Sequence, residues 1–257
     1  MTKAKILLIH GWNYANYTSS GRTDAWSNRS KFVLALSQHF NVVTINLPGF
    51  CGQPDPEKPW TLDDYVNYAG EIIEKEESSY ILGYSFGGAI ALRWKKQNEG
   101  NGVKAILVSP AILRKYEHSD LSLPQKILKK ILPGVPISLL RDFYLTQIVK
   151  NPYYSKATRV MRETYRNIVA VDLRNDLQSI SEPLTLIYGG NDSATPLALV
   201  REALGDSEVH HDLYVISGGG HDIANTHTDE LVDLIKKVKE DDDEAQSTDI
   251  SSDYPGC

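Results

Sequence analysis

Short apolar runs rich in β-branched residues alternate along the chain with longer stretches whose apolar residues recur every three or four positions. The short runs, Ile6–Ile9, Val42–Ile45, Tyr80–Gly83, Ala105–Val108, Leu184–Tyr188 and Leu213–Ile216, read as strands. Ser27–His39, Leu62–Glu76, Phe86–Asn98, Pro196–Leu204 and Thr228–Lys239 carry helical spacing. Thr61 is placed to cap the second of these helices, and Asp63 and Asp64 in its first turn suit the positive end of the helix dipole. Strand, helix and strand in repeated succession imply parallel strands joined by crossover helices. The expected fold class is α/β, a mostly parallel central sheet of about six strands flanked by helices.

The alternation breaks between about Ala111 and Leu177. Leu121–Leu132, Ile137–Val149 and Ser155–Val169 all have helical spacing and are cut by Pro124, Pro133, Pro136 and Pro152, with no strand-like run between them. This pattern predicts a helical insertion after the fourth strand. The expected division is a core of residues 1–110 and 183–239, a helical cap over 111–182, and an acidic tail over 240–257.

With 257 residues the chain suits one large domain carrying an insertion. Its 41% apolar and 23% charged residues are ordinary for a soluble enzyme, and no apolar run is long enough to span a membrane. Met1-Thr2-Lys3-Ala4-Lys5 leads straight into the first strand and leaves no room for a signal peptide. Cys51 and Cys257 are the only cysteines, so a structural disulfide is not expected, and a cytoplasmic location is. The net charge of −6 is unevenly spread, because seven acids and no Lys or Arg lie in 240–257. The remainder is close to neutral, which argues against a nucleic-acid partner. The tail itself reads as disordered. Between Pro110 and Glu182, twelve Lys and Arg face seven acids. That excess reads as solvated helix faces rather than an anion site.

The chemistry enters at Gly83-Tyr84-Ser85-Phe86-Gly87, which follows a strand-like run and opens a helix. A serine between glycines on a strand-to-helix turn is the pattern of a nucleophile elbow. The turn strains the serine backbone, and a side chain two residues away would strike the neighbouring strand or helix. A serine hydroxyl also needs a base within hydrogen-bond reach, and the base needs an acid to orient it. In this architecture they follow in the order serine, acid, histidine. Asp192 lies in Gly189-Gly190-Asn191-Asp192 after the fifth strand, and His221 follows Gly218-Gly219-Gly220 after the sixth. Ser85, Asp192 and His221 are thus the expected catalytic residues. Asp222 is the competing acid, His10 is expected to shape the turn after the first strand, and no metal-ligand spacing occurs. The oxyanion of a tetrahedral intermediate needs donors, and the backbone N–H groups of Phe86 and Trp12 are placed to supply them. Trp12 and Tyr84 are expected to touch substrate.

The chain resembles the cap-bearing serine hydrolases of the α/β-hydrolase fold superfamily. The resemblance rests on the His10-Gly11 turn, Asn46-Leu47-Pro48-Gly49-Phe50, the Ser85 elbow, the Asp192 turn and the His221 loop, and covers most of residues 4–239. It implies a serine hydrolase acting on a small ester, thioester or amide, with no cofactor. Cleavage of a carbon–carbon bond in the same fold, and a ligand-binding member with little turnover, stay open as alternatives. The chain departs from the family pattern in four places. It begins at what the family counts as its third strand. Asn13 replaces a frequent glycine, Asn13–Trp26 is polar and Tyr-rich, and Asp222 replaces an aromatic residue after the histidine.

Overall fold

A computed structural model describes residues 3–114, 152–205, 207 and 209–252. Its centre is a six-stranded sheet of β1 (Lys5–Ile9), β2 (Asn41–Ile45), β3 (Tyr80–Tyr84), β4 (Lys104–Val108), β5 (Thr185–Gly189) and β6 (Asp212–Ile216). The order across the sheet is β2-β1-β3-β4-β5-β6, and every neighbouring pair is parallel. Each strand matches its predicted run to within about a residue at either end, and the four inner strands, β1, β3, β4 and β5, are buried along nearly their whole length.

Alternate residues of each strand feed two apolar layers. Leu7 and Ile9 of β1 face α2 (Leu62–Lys75) and α3 (Phe86–Gln97), in one cluster with Tyr65, Ile73 and Leu92. Ile6 and Leu8 face the opposite way, toward Phe32 and Leu36 of α1 (Ser30–Ser37) and toward the C-terminal helix. Thr61 caps α2 as expected. Its hydroxyl accepts from the Asp64 N–H, and the Asp64 carboxylate accepts from the Thr61 N–H at 2.7 Å, which closes a capping box.

Helix boundaries depart from expectation in three places. Ser27–Arg29 is a 3-10 turn, and α1 proper starts at Ser30. The run Ser155–Val169 is divided into α4 (Pro152–Ser155) and α5 (Arg159–Val169), because Thr158 turns its hydroxyl back to the Met161 N–H and starts a new helix. α6 (Arg174–Ser179) and α7 (Leu197–Gly205) flank β5, and a short α8 (Ile223–Thr226) precedes the last helix. That helix, α9, runs Thr228–Ser252, so the acidic segment is not a disordered tail from residue 240. Lys236–Glu240 and Lys239–Asp243 pair one turn apart, and Asp242 accepts from Tyr80 Oη at 3.0 Å and pairs with Lys104 Nζ at 3.1 Å. Leu121–Leu132 and Ile137–Val149 lie outside the described residues. Among the described residues no helix is long and apolar enough to cross a membrane.

Candidate active site

The parallel register aligns the carboxyl ends of the strands along one edge, where ligands gather in open α/β sheets. Ser85 stands there between β3 and α3 with φ 54° and ψ −111°, a backbone state that a residue with a Cβ adopts only under constraint. The surroundings impose it. A Cβ on Gly87 would fall 2.0 Å from the Ile9 carbonyl oxygen, and one on Gly83 would fall 2.3 Å from the Gly87 carbonyl oxygen. The Ser85 N–H donates to Val108 O, and the Ser85 carbonyl accepts from Gly88 and Ala111, each at 2.9 Å.

His221 and Asp192, distant in sequence, meet Ser85 at this edge. His221 Nε2 lies 3.0 Å from Ser85 Oγ, and Nδ1 lies 2.8 Å from Asp192 Oδ2. A carboxylate only accepts, so Nδ1 carries the proton and Nε2 is left to accept from the serine hydroxyl. The two loops touch through glycine. A Cβ on Gly189 would come within 2.4 Å of both the Gly219 and Gly220 carbonyl oxygens, so the histidine loop rests on bare backbone at the end of β5. The Asn191 N–H donates to Gly219 O at 2.8 Å and ties the same two loops.

Asp192 is held from four directions. Oδ1 accepts the Ala194 and Thr195 N–H groups at 2.9 Å each, and Oδ2 accepts the Thr195 hydroxyl at 2.6 Å beside the imidazole. Burial alone would push its pKa up, but these hydrogen bonds, from His221 first and then Thr195, outweigh it and hold the carboxyl down at about 2. Thr195 was not among the expected site residues. Its signal was an acid followed three positions later by a hydroxyl residue, a pattern that closes a local side-chain turn.

The competing groups go elsewhere. The Asp222 carboxylate pairs with Arg29 Nη2 at 2.7 Å and not with the imidazole. His10 is buried, its Nε2 accepts the Leu47 N–H at 3.0 Å, and its Nδ1 donates to Gly11 O at 2.8 Å. Burial lowers its pKa to about 4, so it stays neutral and fixes the turn after β1. Tyr84, expected to touch substrate, borders the cavity but is almost wholly buried, and its hydroxyl donates to the His221 carbonyl at 2.6 Å. A larger open depression of about 720 Å³ between α1 and β2 includes none of these groups. Among the described residues no cluster of three or more His, Cys, Asp or Glu side chains suits a metal ion.

The turn His10-Gly11-Trp12 runs against the serine. A Cβ on Gly11 would lie 3.0 Å from Ser85 Cβ and 3.6 Å from Oγ. Among the described residues the backbone N–H groups of Trp12 and Phe86 donate to no carbonyl, Phe86 because the first residue of a helix has no intrahelical acceptor. Asn13 caps the next turn by accepting the Ala15 N–H at 2.9 Å. A cavity of about 460 Å³ opens over Ser85, Trp12, Phe86 and His221, and Tyr153, Tyr165, Ile168 and Arg114 complete part of its wall. The Trp12 ring stands edge-on to Phe86 and close to Tyr165, each with centroids 5.4 Å away. Tyr153 stacks on Tyr165, whereas Tyr154 is buried behind Tyr165.

Comparison with known proteins fits this geometry. A pimeloyl-[acyl-carrier protein] methyl ester esterase of Vibrio cholerae is 23% identical over 220 residues, covering 77% of this chain and 79% of that protein. An esterase structure from Exiguobacterium antarcticum superposes with TM-score 0.64 at 18% identity, over 93% of this chain and 92% of that one. A meta-cleavage product hydrolase from Pseudomonas fluorescens superposes with TM-score 0.63 at 19% identity, over 93% and 92%. The model of the alpha/beta hydrolase family matches residues 6–234, and the chain belongs to that family.

Proposed function

We propose that the protein is a serine hydrolase that cleaves a small carboxylic ester through an acyl-enzyme intermediate. The observation that carries this reading is the continuous chain from Ser85 Oγ through both nitrogens of His221 to Asp192, at 3.0 Å and 2.8 Å. His221 Nε2 takes the hydroxyl proton as Ser85 Oγ attacks the ester carbonyl carbon. Asp192, ionised by its four donors, stabilises the imidazolium that forms. The carbonyl oxygen, now negative, sits against the backbone N–H groups of Trp12 and Phe86. His221 returns the proton to the departing alcohol, and the acyl group stays on Ser85. Water, deprotonated by the same imidazole, then releases the acid and restores the serine.

Residues 111–182 act as the cap in this reading, and Tyr153, Tyr165 and Ile168 bring part of it to the cavity wall. The wall is aromatic and aliphatic around a few polar groups, which suits a compact apolar acyl or alkoxy group. The esterase name of the Vibrio relative points to the same bond type. The test is direct. Ser85→Ala is expected to abolish turnover of p-nitrophenyl acetate and butyrate and labelling by a fluorophosphonate. Equal labelling of the variant and the native protein would end the proposal.

A further inference from the structure

Two departures from the family pattern, the polar segment Asn13–Trp26 and Asp222 after the histidine, have no part in the chemistry above. They lead to one contact. Arg29 closes the turn Ser27–Arg29 that follows the polar segment, and its Nη2 donates to Asp222 Oδ1 at 2.7 Å. Its guanidinium carbon also lies 4.6 Å from the centroid of the Tyr84 ring, within cation–π range. The Tyr84 hydroxyl in turn donates to the His221 carbonyl at 2.6 Å.

The His221 loop is therefore gripped at two adjacent residues. Tyr84 holds the main chain at 221, Arg29 holds the side chain at 222, and Arg29 lies over Tyr84. Asp222 passes the hold onward, because its carbonyl accepts from the N–H groups of Asn225 and Thr226 and so fixes the start of α8. The loop's own sequence offers little constraint, since Gly218-Gly219-Gly220 precedes the histidine and Gly218 has φ 73°. The Arg29 side chain is only 14% exposed, so this ion pair is shielded from water more than an ordinary surface pair.

We propose that Arg29 is a positioning residue for His221, acting through Asp222 and Tyr84 to keep the imidazole within hydrogen-bond distance of Ser85. The proposal rests on the serine hydrolase reading above. An imidazole misplaced by about 1 Å costs up to about a hundredfold in rate while leaving the binding wall intact. The signature is thus a loss in kcat with KM unchanged. Arg29 also borders the cavity, and a direct grip on substrate would instead raise KM.

The experiment compares Arg29→Met, Arg29→Lys, Asp222→Asn and the double variant Arg29→Met/Asp222→Asn on p-nitrophenyl butyrate. Active-site concentration is set by fluorophosphonate labelling to completion. Arg29→Met is expected to lower kcat per labelled site by about tenfold to a hundredfold with KM within about twofold. Arg29→Lys recovers most of the loss. The double variant is no worse than the poorer single one, since both break one contact. Asp222→Asn, on a side chain 48% exposed, supplies the same readout if Arg29→Met does not fold. Unchanged kcat per labelled site, a rise in KM alone, or additive losses would each overturn the role of Arg29. Ser85→Ala in the same assay separates the two readings, because residual full turnover there removes the serine mechanism itself.

Discussion

Thr195 Oγ1 donates to Asp192 Oδ2 across 2.6 Å, and that oxygen also accepts the His221 Nδ1 proton at 2.8 Å. The hydroxyl lies 3.5 Å from His221 Nδ1 as well, so it sits at the joint between the two side chains. Thr195→Val keeps the shape and removes the donor. A hydrogen bond to a charged group contributes about 1.5–3 kcal/mol, so kcat is expected to fall by about tenfold or more. Thr195→Ser keeps the donor and is expected to stay within about threefold of native. Steady-state kinetics on a p-nitrophenyl ester decides it, and an undiminished rate for Thr195→Val would show that the hydroxyl is dispensable.

The pKa of Asp192 makes stability depend on pH in a defined direction. Its folded value of about 2 lies below the reference value of 3.8, so the folded state favours the ionised form. The resulting stability is complete above 3.8 and is lost as pH falls through that range toward 2. Its size is on the order of 2 kcal/mol. Denaturant unfolding between roughly pH 4 and pH 2 is expected to be less steeply pH-dependent in Asp192→Asn than in the native protein. Parallel slopes would show that Asp192 is not held in this way.

Gly87→Ala tests the packing of the elbow apart from its chemistry. The added methyl would lie 2.0 Å from the Ile9 carbonyl oxygen, which belongs to a central strand and has no room to retreat. The loss is expected to be about 3 kcal/mol or more, with low soluble yield. A thermal midpoint near the native one would mean that β1 and α3 move apart more readily than their packing suggests.

The acidic end of the chain is expected to stabilise the fold. Asp242 takes the Tyr80 hydroxyl and pairs with Lys104, which joins α9 to the amino ends of β3 and β4. Asp242→Ala is expected to cost about 1 kcal/mol, and ending the chain at Lys239 at least as much. Thermal melts of the two variants check this. Native stability in both would make the segment a passive appendage.

The elements that were easiest to read in the sequence are those whose signals are local. The strand run Tyr80–Gly83, the glycines around Ser85 and the Thr61 cap each occupy a few residues, and each carries its physical reason within that span. Asp192 and His221 followed from their glycine-rich turns after the late strands, together with the serine, acid, histidine order of this architecture. The acidic run after Lys239 was misleading, because repulsion along the segment was visible and its partners Tyr80 and Lys104 were not. Tyr84 borders the cavity as expected of a residue beside the serine, but its second role was hidden in the sequence for the same reason. Its hydroxyl is taken by the carbonyl of His221.

The sequence by itself determined the parallel α/β architecture, the place of the insertion and the three side chains that meet at the sheet edge. Periodicity and turn chemistry are written in neighbouring residues. Only the tertiary structure decided how the imidazole is held. The hydroxyl of Thr195, the phenol of Tyr84 and the ion pair of Arg29 with Asp222 converge on it from separate parts of the chain. Those partners are set by the twist and register of the sheet and by which side chains burial forces together. The Asp192–Thr195 turn is local, but no local pattern encodes the pairing of Tyr84 with His221 or of Arg29 with Asp222.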